Sequence, residues 1–442
     1  MKTESVRGVT AVLTVVVLAS GLRAADLGFP EGCVELVSVS PRGLRSHTMS
    51  PRDSVIFAFD SPNRKMNPGE ALPFIAWDTQ TGKWLAKMSA PDPHAMGWRF
   101  SPDGTLLAIP IVSRSRTVEL WEVGKKDSQG VPALRFVTKL LQRYHRPALS
   151  DGRAEGHASF ADLPVLVWTP DSNTLLAHHD LGAKEEIQFW SRTDKPSVWE
   201  DSDRDTKWKP WAVIELGSQL NFHFTVSPDN RSLAVITSSG VQPRSRESIP
   251  SGSGQIFDLD IAKLREEFRV KRPPIKQYEG HGYRLQYSDD SQTLAINDNG
   301  NVGYMALWDT NPLAPRVEMD AKDLGISRMA EFNAYNMAFL RDNRWLLTVK
   351  EATPEERKHF TGGLLQFRDA QSGELRKELS FPKELGEFVL IEKQPDGRVM
   401  TTFVSRKKSQ ERVMRHFLWH DEDLLRYAAE HGSAPMPKPK AK

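Results

Sequence analysis

Residues Phe100 to Pro110, FSPDGTLLAIP, set an apolar residue before a polar turn and a short apolar run after it. Ser-Pro-Asp-Gly suits a type I turn, because Pro102 pre-sets φ and Gly104 relieves the exit. The run Leu106 to Ile109 has the length of a buried strand. The same pattern returns six more times: MSPRDSVIFAF, WTPDSNTLLAH, VSPDNRSLAVI, YSDDSQTLAIN, FLRDNRWLLTV and KQPDGRVMTTF. Measured between the third turn residues, from Arg52 through Asp103, Asp171, Asp229, Asp290 and Asp342 to Asp396, the intervals are 51, 68, 58, 61, 52 and 54 residues. A repeat of that length signals a stacked or closed array of one supersecondary unit.

Each turn is followed by a second element, a strand that ends in an aromatic and often an acid. Examples are FIAWD (Phe74 to Asp78), VELWE (Val118 to Glu122), MALWD (Met305 to Asp309) and HFLWH (His416 to His420). In several units turn residues come next, as in Asp78 to Gly82 and Asp369 to Gly373. Each unit therefore predicts four antiparallel strands, which is one propeller blade. The fold class is all-β: a seven-bladed β-propeller over residues 34–421, with a short helix beginning the stretch 422–442 (DEDLLRYAAEH, from Asp421) and a disordered basic tail ending it. The strand VELVSV, Val34 to Val39, is expected to complete the last blade and close the ring, hiding edges that an open array would expose.

Residues Gly280 to Asp309, GHGYRLQYSDDSQTLAINDNGNVGYMALWD, resemble a WD repeat, with a Gly-His opening and a Trp-Asp close. The blades around Trp77, Trp121 and Trp190 resemble looser members of that family. The resemblance implies a propeller that works as a protein-interaction scaffold, with no catalytic activity. The chain departs from the family where Asn299 stands in the usual place of an aspartate, and only one blade carries a clear Gly-His. Stability is therefore expected from apolar packing between blades.

Composition narrows the partners. The chain is 39% hydrophobic and 26% charged, which suits a globular fold. Three of its 59 basic and one of its 57 acidic residues lie in the first 24 positions, so the remainder is neutral. A neutral chain gives no electrostatic reason to expect nucleic acid or an anionic membrane as partner, and no membrane insertion is expected once the signal is cleaved. Lys2 and Arg7 precede the apolar run Val9 to Ala19, and small residues follow, so residues 1–24 read as a cleaved signal peptide. The mature protein is expected in the periplasm or medium, as a monomer. Cys33 is the single cysteine, so no intramolecular disulfide forms.

Insertions interrupt the repeat. Residues 125–163 include a predicted short helix, Leu134 to Tyr144; residues 192–209 are charged, and 241–254 have loop composition. Trp199, Trp208 and Trp211 lie in or beside the charged insertion, as a partner contact or as a lid folded onto the propeller. No motif carries catalysis or a metal: His178-His179-Asp180 is read as a polar loop, and SGSG at Ser251 lacks a strand-to-helix elbow. AWDTQTGKWL, Ala76 to Leu85, resembles the tryptophan-docking motif of quinoprotein propellers, although Trp84 comes earlier than in that family. That resemblance implies the alternative function, an enzyme or small-molecule binder that holds a quinone cofactor in the central channel. Hairpin chemistry explains the same residues, and no cofactor is expected. Convergence of acids, histidines and arginines from several blades on the axis would favour the channel reading.

Overall fold

The computed structural model describes residues 27–39, 47–59, 73–89, 97–111, 117–128, 130–140, 165–180, 185–192, 208–217, 221–238, 252–270, 283–298, 304–324, 337–351, 363–406 and 412–433. They form seven four-stranded antiparallel sheets. The last sheet also takes the first strand, β1 (Val34–Val39). Blade 1 is β2 (His47–Ser50), β3 (Val55–Phe59), β4 (Pro73–Asp78) and β5 (Trp84–Ser89). Blade 2 is β6 (Arg99–Phe100), β7 (Leu106–Ile111), β8 (Thr117–Lys126) and β9 (Pro132–Leu140). Blade 3 is β10 (Leu166–Trp168), β11 (Thr174–Asp180), β12 (Glu185–Ser191) and β13 (Lys209–Gly217). Blade 4 is β14 (Asn221–Val226), β15 (Ser232–Ser238), β16 (Gly252–Asp258) and β17 (Lys263–Val270).

Blade 5 is β18 (Tyr283–Tyr287), β19 (Thr293–Asp298), β20 (Met305–Thr310) and β21 (Leu313–Met319), followed by the short helix α1 (Ala321–Leu324). Blade 6 is β22 (Ala338–Phe339), β23 (Trp345–Glu351), β24 (Gly363–Asp369) and β25 (Leu375–Ser380). Blade 7 joins β26 (Glu387–Lys393), β27 (Val399–Arg406) and β28 (Arg412–Trp419) to β1, and the helix α2 (Asp421–His431) follows. The first strand of each blade is innermost. Neighbouring inner strands touch around the axis, β2 with β6, β6 with β10, β10 with β14, and β14 with β18. The chain is thus a seven-bladed β-propeller closed by its own first strand, with Val34 opposite Leu418 and Val39 opposite Val413.

The turn acids are architectural. The Ser101 hydroxyl donates to Asp103 Oδ1 at 2.6 Å, the Thr105 amide donates to the same oxygen at 3.0 Å, and the Leu106 amide donates to Ser101 Oγ at 3.0 Å. The set recurs at Thr169/Asp171, Ser227/Asp229 and Ser288/Asp290. Enclosure in the turn acts to raise the Asp103 pKa, but the Ser101 and Thr105 donors outweigh it and hold the carboxyl below its ordinary range.

The same turns also link blade to blade, which the sequence pattern did not announce. The Asp103 amide donates to Ser172 Oγ (2.9 Å), Asp229 to Ser291 Oγ (3.0 Å) and Asp289 to Asn343 Oδ1 (2.8 Å), joining blades 2–3, 4–5 and 5–6. Asn230 Nδ2 donates to Asp171 Oδ2 (3.0 Å) across blades 3–4. Arginines close the rest: Arg52 reaches the Val123 carbonyl, Arg341 the Asp396 carbonyl and Arg398 the Thr79 carbonyl. All seven seams therefore carry a polar tie in addition to their apolar contacts.

Ser172, Ser291 and Asn343 take a positive φ (62°, 62° and 54°) at the fourth position of the turn, and from there their side chains make those ties. At Gly104 (φ +68°) the equivalent space is already filled, since an added Cβ would stand 2.7 Å from Arg52 Cβ. Gly104→Ala is expected to cost at least about 2 kcal/mol, from the left-handed backbone and the arginine it displaces. Urea unfolding followed by tryptophan fluorescence checks this; a loss under about 0.5 kcal/mol would contradict it.

Apolar packing fills the seams. In the 1–2 seam Val55, Phe57 and Ala76 meet Phe100, Leu107 and Ile109. The largest cluster gathers Phe381, Phe388, Phe403, Phe417 and Trp419, with Phe29 and the α2 residues Leu424, Tyr427 and Ala428 sealing it. Cys33 is buried at its edge. Two local expectations change. Leu134 lies in β9, not in a helix, because Pro132–Leu140 pairs with β8 as the outer strand of blade 2. His178 to Asp180 end β11 instead of forming a loop, and His178 is buried. The helix begins at Asp421, as the acids of its first turn indicated. Residues 1–24, Asn299, the Gly280-His281 pair, 241–251 and the tail from 434 lie outside the described residues.

Candidate functional site

Counting back from the first residue of each repeated turn defines what every blade presents to the axis. One residue back stand Met49, Phe100, Trp168, Val226, Tyr287 and Phe339, all buried between blades. Three back stand Trp98, Leu166, Phe224, Leu285, Met337 and Ile391, also buried, with His47 in blade 1. These alternate positions share one face of each strand, so the two-back and four-back positions share the other. Two back, Arg99 is exposed, and Val167, Thr225, Gln286 and Glu392 are partly exposed, whereas Thr48 and Ala338 are covered. Four back, His223 is partly exposed and Arg284 exposed.

Electrostatics shows where this exposed face points. Arg99, His223, Arg284 and Glu392 come from blades 2, 4, 5 and 7, yet they act on one another. Only the axis brings these four blades within reach. Arg284 is open to water while the other blades surround its charge, which describes a residue facing a channel, not the outer surface.

Glu392 anchors the polar cluster. Its Oε2 lies 2.8 Å from His47 Nε2, and its side chain is 40% exposed. Enclosure works to raise its pKa, and the His47 charge and hydrogen bond, with Arg99 and Arg284 behind them, overcome that and bring it to about 2. His223 moves the other way: enclosure, then Arg284 and Arg99, push its pKa down to about 3, so the imidazole is neutral at pH 7. Its Nδ1 accepts from the Leu285 amide at 3.2 Å, which puts the remaining ring proton on Nε2. Behind His47, at a ring separation of 6.1 Å, His416 is buried with Nδ1 2.9 Å from Thr402 Oγ1. Burial, with the His47 charge adding to it, lowers the His416 pKa to about 3.

A second exposed feature lies on the rim of blades 1 and 2. Trp84 opens β5 with 58% exposure, and Phe136 and Val137 on β9 are 47% and 42% exposed. Phe136 leans edge-on against Trp121 at 5.6 Å. In the same seam a hollow of ≈ 410 Å³ is lined by Arg52, Asp53, Val123, Gly124, Lys125 and Lys126. Lys126 also lowers the pKa of Asp78, in the turn that leads to Trp84, behind the larger effects of burial and the turn's own hydrogen bonds.

The sequence-predicted contacts fall in different places. Trp208 is 3% exposed and packs edge-on against Trp168 at 5.8 Å, in the core between blades 2 and 3. Trp211 is half-buried against Phe189 at 5.2 Å. Trp199 lies outside the described residues. In AWDTQTGKWL, Asp78 Oδ1 accepts from the Gln80 and Thr81 amides, and Gly82 takes φ +69°. That is hairpin chemistry, and Trp84 stands in solvent instead of docking on a neighbouring blade. The channel residues were missed because each is a single polar residue in a short strand. Counting back from the turns would have aligned them. No protein-family model matches the chain, and no curated protein matches it.

Proposed function

We propose that the protein is a binding scaffold, an exported propeller of WD-repeat type that holds a protein partner against the rim of blades 1 and 2. The observation that carries this reading is the exposure of Phe136 and Val137 on the outer strand of blade 2, whose seam with blade 1 holds a hollow with three cations and one acid, together with Trp84 exposed on the outer strand of blade 1. Outer strands meet water, and large apolar side chains left there mark a contact. Aromatic anchors rimmed by charge are the residue types that dominate interface energies. The matching partner is a protein segment with an apolar anchor and flanking acids. The alternative contact is the one the sequence suggests, Trp199, Trp208 and Trp211, of which Trp208 is buried and Trp211 half-buried.

The n-, h- and c-region order of residues 1–24 supports export to the periplasm or medium. The neutral balance beyond residue 24 supports a protein partner in preference to nucleic acid.

Affinity capture from the native envelope tests the reading, using the tagged chain, a Trp84→Glu/Phe136→Glu variant and a deletion of residues 193–207, which keeps the buried Trp208 and β13 in place. A stoichiometric protein lost with the double variant and kept with the deletion is the expected result. Loss with the deletion alone would move the contact to the tryptophan insertion. Equal capture by all three forms, or none by any, would sink the scaffold reading at both surfaces.

A further inference from the structure

The arginines of the channel differ from the buried arginines among the described residues. Arg398 holds Asp396 at 2.7 Å and both Thr79 oxygens at 2.8 Å. Arg368 spends its guanidinium on the Gly373 and Asp323 carbonyls and on Gln366. Arg415 is paired with Glu35 at 2.5 Å. In contrast, Arg99 gives one hydrogen bond, to the carbonyl of its own neighbour Trp98 at 3.1 Å. Arg284 makes no hydrogen bond or ion pair among the described residues. Neither guanidinium is used to hold the propeller together.

Glu392 does not neutralise them. Its Oε2 is engaged by His47, and among the described residues of the inner strands two guanidinium charges face one carboxylate, beside neutral residues such as Val167, Thr225 and Gln286. Like charges enclosed together are unfavourable, so positioning two of them with free donors is a feature that needs a counter-charge. Guanidinium forks match the paired oxygens of carboxylate and phosphate. The Nε2 proton of neutral His223 supplies one further donor, and ionised Glu392 supplies an acceptor.

We propose that the central channel binds a small hydroxylated organic anion, its carboxylate or phosphate oxygens held by Arg99 and Arg284 and a neighbouring hydroxyl donating to Glu392. The blades supply these groups from strands fixed by their own seams, so the site is formed before the ligand arrives. The ion pairs to the ligand lie inside a water-filled passage, so affinity falls as ionic strength rises.

Titration calorimetry on the full chain at neutral pH and low ionic strength tests this with three probes: glucuronate, glucose 6-phosphate and glucose. Saturable one-to-one binding of at least one anion, and none of glucose, is expected. Which anion binds distinguishes carboxylate from phosphate. Arg99→Gln and Arg284→Gln should each weaken it by about ten- to a hundred-fold, the worth of a charge-assisted hydrogen bond. Lys263→Gln, exposed on the outer strand of blade 4, should leave it unchanged. Unfolding midpoints must match across the variants; Arg284→Lys, which keeps the charge and loses the fork, is the second variant and should fall between. Binding of glucose as tight as the anions, binding that survives Arg99→Gln/Arg284→Gln, or no binding of either anion overturns the proposal.

Discussion

Glu35→Ala is expected to lower the unfolding free energy by about 3–5 kcal/mol, the cost of leaving a buried charge without its partner. Glu35 lies on β1, and its carboxylate receives Arg415 Nε at 2.5 Å; the Arg415 side chain is 2% exposed. That ion pair sits where the ring closes, since β1 and β28 belong to opposite ends of the chain and pair over six positions. The backbone ladder and Leu36 would still hold β1, but the buried guanidinium would either draw in water or push the strand away. Urea unfolding gives the energy, and hydrogen exchange along β1 shows whether closure loosens ahead of the other blades. Glu35→Gln keeps an acceptor and should lose less. A loss below about 1 kcal/mol for the alanine variant would show that the pair is as weak as a surface one. The same variant should also disturb the channel, because His47 and Glu392 bridge the seam between blades 1 and 7.

Acid is the second large lever. His416 has a folded pKa of about 3 against about 6.5 when unfolded. Between these values the unfolded chain binds a proton that the folded chain does not, so stability rises with pH across this window and falls on acidification. The full contribution is present above pH 6.5, is lost progressively toward pH 3, and amounts to on the order of 4–5 kcal/mol. Glu392 acts in the same direction lower down: its folded pKa of about 2 lies below the ordinary carboxylate value, so its share is present above about pH 4.5 and lost as pH falls through 2. Urea midpoints measured from pH 7 to pH 4 should fall steadily in the wild type. His416→Gln removes the titrating ring while keeping a partner for Thr402, and should flatten that slope. An unchanged slope would mean that His416 is protonated in the folded protein.

The reading of the chain succeeded wherever one residue type has one local use. Ser101, Pro102, Asp103 and Gly104 make the turn that their side chains and backbone favour, and FIAWD, MALWD and HFLWH all lie in third strands. It failed where partners come from far along the chain. Leu134 to Tyr144 reads as a helix by local composition, and its described part, to Leu140, lies in a strand because β8 lies beside it. Trp208 could be surface or core by sequence, and Trp168 across the sheet decides for core. The polar seam ties were invisible for the same reason, since Asp103 and Ser172 are 69 positions apart.

By itself, then, the sequence determined the number of blades, the four-strand unit and the closing strand, because turn chemistry and apolar alternation are local and were written seven times. Tertiary structure alone decided what meets on the axis. Arg99, His223, Arg284 and Glu392 occupy inner strands at two registers, and no local rule says whether such a side chain faces a neighbouring blade or the channel. Ring closure settles it, since the seams accept apolar residues on one face of each inner strand and leave the other face to the water along the axis.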